Sequence, residues 1–421
     1  MAAGFLDRAN ASRLMAEQGL DALVLAQPET LAYATGAFPG IATLWRRAGA
    51  AFLLVPGDAD AAMTAIVGDL QAQSFKAQSR IDDVRGHRIW VETGEYDPAL
   101  GAAGDVAAAL VARDLGAGKQ PRTPRPAQFD PVASLGLLRD ALAERGLLHA
   151  RVGLELGFVA ARDAGGFAVA MPDVAWIDAT AMVERLRAIK HRREIELLRT
   201  AAELSQVGVS ALAQAIVPGM DAAGMTAIWR EAALAEAARR QLPPPATAWA
   251  YIAVGGDGFA PGAAVRIGDV VKIDVGCIID GYSSDGGRTA VLGKAGPAVQ
   301  KVHDALHRAF NAGLELLRPG AALREVYRKV SQTMWDQGFT TYGRGHFGHG
   351  VGASVWSEEW PFVSADATAL AEPGMVLAFE TPYYIRGLGG FIIEDQILIT
   401  ASGIDVMAPS PRDLIELGGR L

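Results

Sequence analysis

The sequence predicts an α+β protein of two domains, and three observations carry that reading. Strand-like and helix-like runs alternate through residues 1–185, the pattern of a smaller α/β domain whose sheet is covered at least partly on both faces. In residues 186–421 helices and strands arrive in separate runs, which is the α+β pattern. Near Met182 the composition changes to a long stretch of apolar residues at helical spacing, and the boundary is placed at about residue 185. With 421 residues, 50% of them hydrophobic and 20% charged, the chain is long enough to give each domain its own core.

In chain order, a helix is expected around Arg8 to Glu17, then a strand at Ala22 to Leu25 and a segment closed by Gly36. Residues 49–58 read as a strand bounded by a Pro-Gly turn, and the run from His87 as another. An Ala-rich helix is expected over 105–114, followed by a Pro-rich, basic loop. Asp130 is placed to cap the next helix, and strands RVGLEL and VAWIDA flank a further short one. From Met182 one helix is expected to run to the Pro218-Gly219 stop, and a second spans Ala222 to Arg240. A strand over TAWAYIAVG precedes the hairpin described below. Helices at Pro297 to Leu317 and Ala322 to Gln337 follow, then three strand-like segments, GHGVGASV, MVLAFETPYY and GGFIIEDQILIT.

A net charge of −8 with no dense Lys/Arg cluster argues against a nucleic-acid partner. No uninterrupted apolar run is long enough to span a bilayer, and the N-terminus lacks a secretory pattern, so a cytoplasmic location is expected. The single cysteine, Cys277, reads as a small core residue.

The informative stretch is VVKIDVGCIIDGYSSDGGRTAVL, residues 270–292. It sets two aspartates, Asp274 and Asp285, in apolar strands joined by a Gly-Tyr turn, which would bring both carboxylates to one place. A buried carboxylate needs a partner or a metal. His349, Glu380 and Glu394 are the candidate partners. Four carboxylates brought together would repel, and two divalent cations would balance them. Such a centre, its ions roughly 3.5 to 4 Å apart, can bridge a hydroxide at neutral pH and polarise a carbonyl. Oxygen-rich ligation favours manganese, with cobalt, iron or zinc as alternatives. HDALH at 303–307 mimics a zinc helix, but Asp304 stands where such a helix carries its Glu.

KIDVGCIIDGYSSDGGRT resembles the first metal motif of the pita-bread metallopeptidase family, which includes methionine aminopeptidase, aminopeptidase P and prolidase. Asp274 and Asp285, eleven positions apart and followed by Arg288-Thr289, match that motif. GHGVG, with His349, LAEPGMVLAFE, with Glu380, and IEDQILIT, with Glu394, match the later ones. The N-terminal EQGLDALVLAQPETLAYATG resembles the opening of the prolidase and creatinase branch. The resemblance implies a C-terminal pita-bread catalytic domain behind a creatinase-like one. It implies five metal ligands, Asp274, Asp285, His349, Glu380 and Glu394, of which Asp285 and Glu394 would bridge two ions and Glu380 would also be catalytic. It further implies hydrolysis of a C–N bond in a small-molecule or short-peptide substrate, Xaa-Pro peptidase-like, by a homodimer.

Two positions depart from the peptidase pattern. Gly262 stands where relatives carry a His ahead of the first aspartate, and Trp356 where they carry a second His seven positions past the metal histidine. Those groups stabilise the transition state, so a non-standard substrate is expected. His346 is the candidate to take over proton transfer and substrate contact, and Trp356 and Trp360 are candidate pocket walls. The alternative is a non-peptidase enzyme of the same fold, such as a dimethylsulfoniopropionate lyase. Glu359-Trp360-Pro361 resembles that lyase, although Gly276 stands where it has a further aspartate.

Overall fold

The structure is a computed structural model that describes residues 4–91, 94–96, 98–104, 110–112, 124–242, 248–256, 264–353 and 358–418. It divides into two compact units, Met1–Arg187 and Ala188–Leu421.

In the first unit a six-stranded mixed sheet is ordered Asp83–His87, Thr64–Gly68, Phe52–Pro56, Ala22–Leu25, Arg151–Leu154, Ala175–Asp178. Ala22–Leu25 is buried throughout, as a central strand must be. Its core joins Phe52, Leu54 and Ile66 of the sheet to Leu135, Leu138, Leu142 and Phe167 of two helices. Asp130 caps the helix Pro131–Ala143, accepting from the Val132 amide at 2.9 Å.

Two expectations here are corrected, and one strand is new. The strand lies at Asp83–His87 and ends where the apolar run from His87 begins. Its polar residues hide it, because Arg85 is tied to Asp83 and Glu144 and so sits in the sheet without a free charge. Thr64–Gly68 is a strand the sequence reading did not place. The helix expected over 105–114 falls partly outside the described residues, and its described part, Leu110–Ala112, is a strand paired with Gly94–Tyr96.

The expected single helix is two, Thr180–Ala188 at the boundary of the two units and Arg192–Ala215 within the second. The break comes at His191, which opens the second helix with a capping box: its ring accepts from Arg193 N, and Glu194 accepts from His191 N. Ala222–Arg239 packs alongside. An eleven-stranded sheet, largely antiparallel, follows the path Ala253–Val254, Val270–Ile279, Gly286–Leu292, Glu394–Ile399, Val376–Glu380, His346–Gly350, Glu359–Ser364. Helices Pro297–Leu316 and Leu323–Asp336 cover one face through Phe310, Val330, Met334, Phe347 and Phe379. Among the described residues no helix is long and apolar enough to cross a membrane.

The register sets what the second face presents. Directly paired residues project to the same side, and so do residues two apart on one strand. Asp274 pairs with Gly287, Gly287 with Glu394, and Glu394 with Glu380, one row across four strands. Asp285 lies two residues from Gly287. His349 pairs with Ala378, two residues from Glu380. All five side chains are thereby delivered to one face.

Candidate metal centre

Asp274, Asp285, His349, Glu380 and Glu394 line one cavity of about 300 Å³ in the second unit. Asp285, His349 and Glu394 offer ligand atoms that all lie within 4.8 Å of one another, the spacing a single cation needs. His349 is buried, and its Nδ1 lies 3.0 Å from the Gly350 carbonyl, which leaves Nε2 facing Asp285 at 3.6 Å. Gly348 makes that placement possible. Its φ is +145°, and a Cβ there would stand 2.4 Å from the Ala378 carbonyl oxygen.

The carboxylates stand in different electrostatic positions. Lys272 Nζ donates to Asp274 Oδ2 at 2.7 Å, and Arg344 Nη2 to Glu380 Oε1 at 2.6 Å. Among the described residues no such cation is bonded to Asp285 or Glu394, and Asp285 Oδ1 is buried without a hydrogen-bond partner. Burial, then repulsion from Asp274, Glu380 and Glu358, holds the Asp285 carboxyl well above the ordinary range. Burial and the Asp285, Glu380 and Asp274 charges do the same to Glu394. An orphaned buried oxygen among repelling acids fits a divalent cation, and the donor set, oxygens with one imidazole, fits a hard one.

These shifts predict how the metal-free chain responds to pH. A carboxyl with a raised folded pKa holds its proton longer in the native state. Its contribution is complete below the unfolded carboxylate range and is lost as pH rises through the folded value. Without metal, the wild type should therefore lose stability relative to Asp285→Asn as pH rises from about 4 toward neutral, and Mn²⁺ should offset the loss by binding only the folded state. A stability difference between the two that stays constant over that window would contradict it.

Residues 196–401 match the model of metallopeptidase family M24, and residues 8–189 that of the creatinase/prolidase N-terminal domain. Residues 196–401 are a metallopeptidase family M24 domain. It is 30% identical to an Xaa-Pro dipeptidase of Pyrococcus horikoshii over 235 residues, spanning 56% of this chain and 66% of that protein. The solved prolidase of Pyrococcus horikoshii superposes with a TM-score of 0.73 at 21% identity, covering 97% of this chain and 99% of that one. The dipeptidase PepE of Mycobacterium ulcerans gives 0.73 at 24% identity, covering 97% and 96%. These likenesses establish the family's architecture, a creatinase-type domain followed by the pita-bread domain that holds the cavity.

Within this M24 domain the expected pocket residues separate. His346 does not line the cavity but stands behind two acids that do, its Nε2 3.3 Å from Glu358 Oε2 and its Nδ1 3.6 Å from Glu380 Oε1. That hydrogen bond from His346 holds Glu358 below its usual pKa. Trp360 is not a wall; it packs against the core cluster beneath the sheet. Trp356 and Gly262 lie outside the described residues. The aromatic walls are Trp249, Tyr251 and Tyr384. The first two stand two positions apart in AWAY, and Trp249 lies on the strand Ala248–Ala250, paired with the one carrying Asp274, with Gly276 opposite it. Lys272 and Glu358 also escaped the sequence reading. Lys272 carried a signal, since K-x-D on a strand puts both side chains on one face.

Proposed function

We propose that this protein is a metal-dependent hydrolase of a C–N bond in a small peptide-like or amide substrate, Xaa-Pro peptidase-like in mechanism. The observation that supports it is the convergence of five carboxylates, the four expected ligands and Glu358, with one imidazole on a cavity at the small end of ligand-pocket sizes. In this reading Asp274, Asp285, His349, Glu380 and Glu394 hold two divalent ions, manganese first. When bound, the ions would make water a nucleophile near neutral pH and polarise the scissile carbonyl. The homodimer carries over from the resemblance.

The chain's own groups do the rest. Trp249, Tyr251 and Tyr384 exclude water and offer flat faces to substrate. Glu358 lines the cavity and takes up or releases a proton with His346 behind it. The Gly348 amide points at His346 Nδ1 at 3.3 Å, so the neutral ring carries its proton on Nε2, toward Glu358. The lyase alternative meets a steric obstacle. A Cβ on Gly276 would lie 2.1 Å from the Ser284 carbonyl oxygen and 2.5 Å from the Trp249 indole, so the packed hairpin has no room for a further aspartate there.

Amine release by the Mn-loaded protein from a panel of Xaa-Pro dipeptides and small zwitterionic amides tests this function, and C–N cleavage of none of them would reject it. Gly262 and Trp356 replace transition-state donors, each worth roughly 10²- to 10³-fold in rate, so simple Xaa-Pro dipeptides should be slow substrates. His346→Ala should lower turnover roughly 10- to 100-fold, as loss of groups supporting a metal site does, while metal content stays near that of the wild type. Turnover and metal content falling together would assign His346 to holding the site and not to proton movement.

A further inference from the structure

A second cluster of buried ionisable groups stands one residue behind the cavity wall. Lys190 and Glu194 flank the start of the helix Arg192–Ala215, and both are buried. Lys190 Nζ donates to Glu359 Oε2 at 3.4 Å, and the Tyr282 hydroxyl donates to Glu194 Oε1 at 2.9 Å. Tyr282 immediately precedes Ser283, and Glu359 immediately follows Glu358; Ser283 and Glu358 both line the cavity. Gly352, a third lining residue, joins the two sides. Its carbonyl accepts from Ser283 N at 3.1 Å, and a Cβ on it would stand 2.5 Å from Glu359 Oε2. The capping box uses only Glu194 Oε2, which accepts from His191 N at 2.7 Å. The other oxygen reaches the hairpin Val270–Leu292 instead. Lys190 faces two carboxylates, so these three groups carry a net negative charge whenever both acids are ionised, an arrangement that packing alone does not favour. Among the described residues the titratable groups facing Glu194 are Lys190 and His191 from the chain before its helix, Tyr282 from the hairpin and Glu359 from the strand Glu359–Ser364. Burial pushes its carboxyl up to about 7; the Lys190 charge and the two hydrogen bonds act against burial, and the Glu359 charge acts with it.

Resting on the metal-hydrolase reading above, we propose that Glu194 is a positioning residue for the reaction: its ionised form fixes Tyr282, and through it the wall of Ser283, Gly352 and Glu358, so turnover rises as Glu194 gives up its proton. The physical reason is the strength of one bond. An ionised Glu194 accepts a charge-assisted bond from the Tyr282 hydroxyl, whereas the protonated acid leaves a neutral pair roughly half as strong. The wall so held carries Glu358, which exchanges a proton with His346, and Ser283 Oγ, which accepts from the Trp249 indole at 3.0 Å. A displacement of about 1 Å at such a wall can cost roughly 10²-fold in rate. Glu194 itself lies behind the wall and acts only through these neighbours.

Glu194→Gln is the informative variant, because a capping box takes Gln as well as Glu and the amide resembles the protonated acid. Turnover by the Mn²⁺-loaded wild type and variant is compared on any dipeptide or amide of the panel above that is cleaved. The wild-type to Glu194→Gln ratio should stand near one at about pH 6 and rise to roughly 10-fold at about pH 8, while KM moves by less than about threefold. Tyr282→Phe should reproduce the loss at the higher pH, and the double variant should be no slower than either single one, since both break the same bond. A ratio that is constant over this window would overturn the inference while leaving a metal hydrolase intact, because a merely structural change acts at every pH. A second readout needs no substrate. In Zn²⁺-loaded protein labelled with ¹⁵N-tryptophan, the Trp249 indole N–H signal, assigned with Trp249→Phe, should shift between about pH 6 and 8 in the wild type and stay in place in Glu194→Gln. The same shift in both proteins would overturn the inference. Circular dichroism checks folding, and Tyr282→Phe takes the place of Glu194→Gln in both measurements if that variant is unfolded. Amine release from no member of the panel would reject the hydrolase reading, and the indole signal would still decide whether Glu194 sets the wall.

Discussion

Asp285→Asn is expected to fold at least as well as the wild type without metal and to bind divalent ions at least about 100-fold more weakly, with activity at background. The two effects have one origin. In the metal-free chain the Asp285 carboxylate is half-buried beside Asp274, Glu380 and Glu394, and its Oδ1 is buried without a hydrogen-bond partner. That environment pushes its pKa well up, so the ionised form is a burden on the native state near neutral pH. An amide of the same shape removes the charge and supplies donors to neighbouring carboxylates. It also removes the anionic oxygen closest to His349 Nε2 and so breaks the trio of clustered ligand atoms. Losing a group that merely supports a metal ligand costs about 10- to 100-fold in affinity, and a ligand should cost more. Calorimetric metal binding and a thermal melt of the metal-free protein measure both directions. A variant that is less stable without metal and still binds Mn²⁺ as the wild type does would remove Asp285 from the proposed ligand set.

Much of the fold was legible because it is written locally. The strand Ala22–Leu25, the Asp130 cap, the helices at 222 and 297 and the hairpin from Val270 to Leu292 each announce themselves by period, cap or turn within a few residues. Asp83–His87 was hidden because its charges are satisfied by Glu144, far along the chain. The break at His191 was hidden because an imidazole took the capping place that Ser, Thr, Asp or Asn usually holds. At the site, the chemistry-bearing residue types could be picked from the strands, but their assembly depends on the pairing of Gly287 with Glu394 and of Glu394 with Glu380. No local pattern specifies that register. Trp360 illustrates the same limit in reverse: nearness in sequence to a candidate ligand does not choose the face of a strand, and this indole went to the core.

The largest stability loss is expected at Arg288, whose side chain locks that register. It is 5% exposed, and its guanidinium uses the full fork. Nη1 donates to the Glu394 carbonyl at 2.6 Å and the Gly287 carbonyl at 2.8 Å, Nη2 to Asp395 Oδ1 at 2.7 Å, and Nε to the Pro411 carbonyl at 2.9 Å. Asp395, itself buried, receives Arg412 on its other oxygen at 2.6 Å. Arg288→Ala takes a donor from three carbonyls and from one side of a buried carboxylate, a class of change that costs roughly 3 to 5 kcal/mol. Because the fork grips the backbone on both sides of the Gly287–Glu394 pair, the loss should also loosen Glu394 and weaken metal binding in the part of the population that stays folded. Lysine should not restore it, since one ammonium cannot serve four acceptors in a plane. Removing the charge from both partners, Arg288→Met with Asp395→Leu, should cost less than the sum of the two single changes, because neither leaves the other as an unpaired buried ion. Urea unfolding of the four proteins gives the coupling directly. Arg288→Ala within about 1 kcal/mol of the wild type, far below the buried-pair range, would mean that the sheet register is held elsewhere and that Arg288 is not its lock.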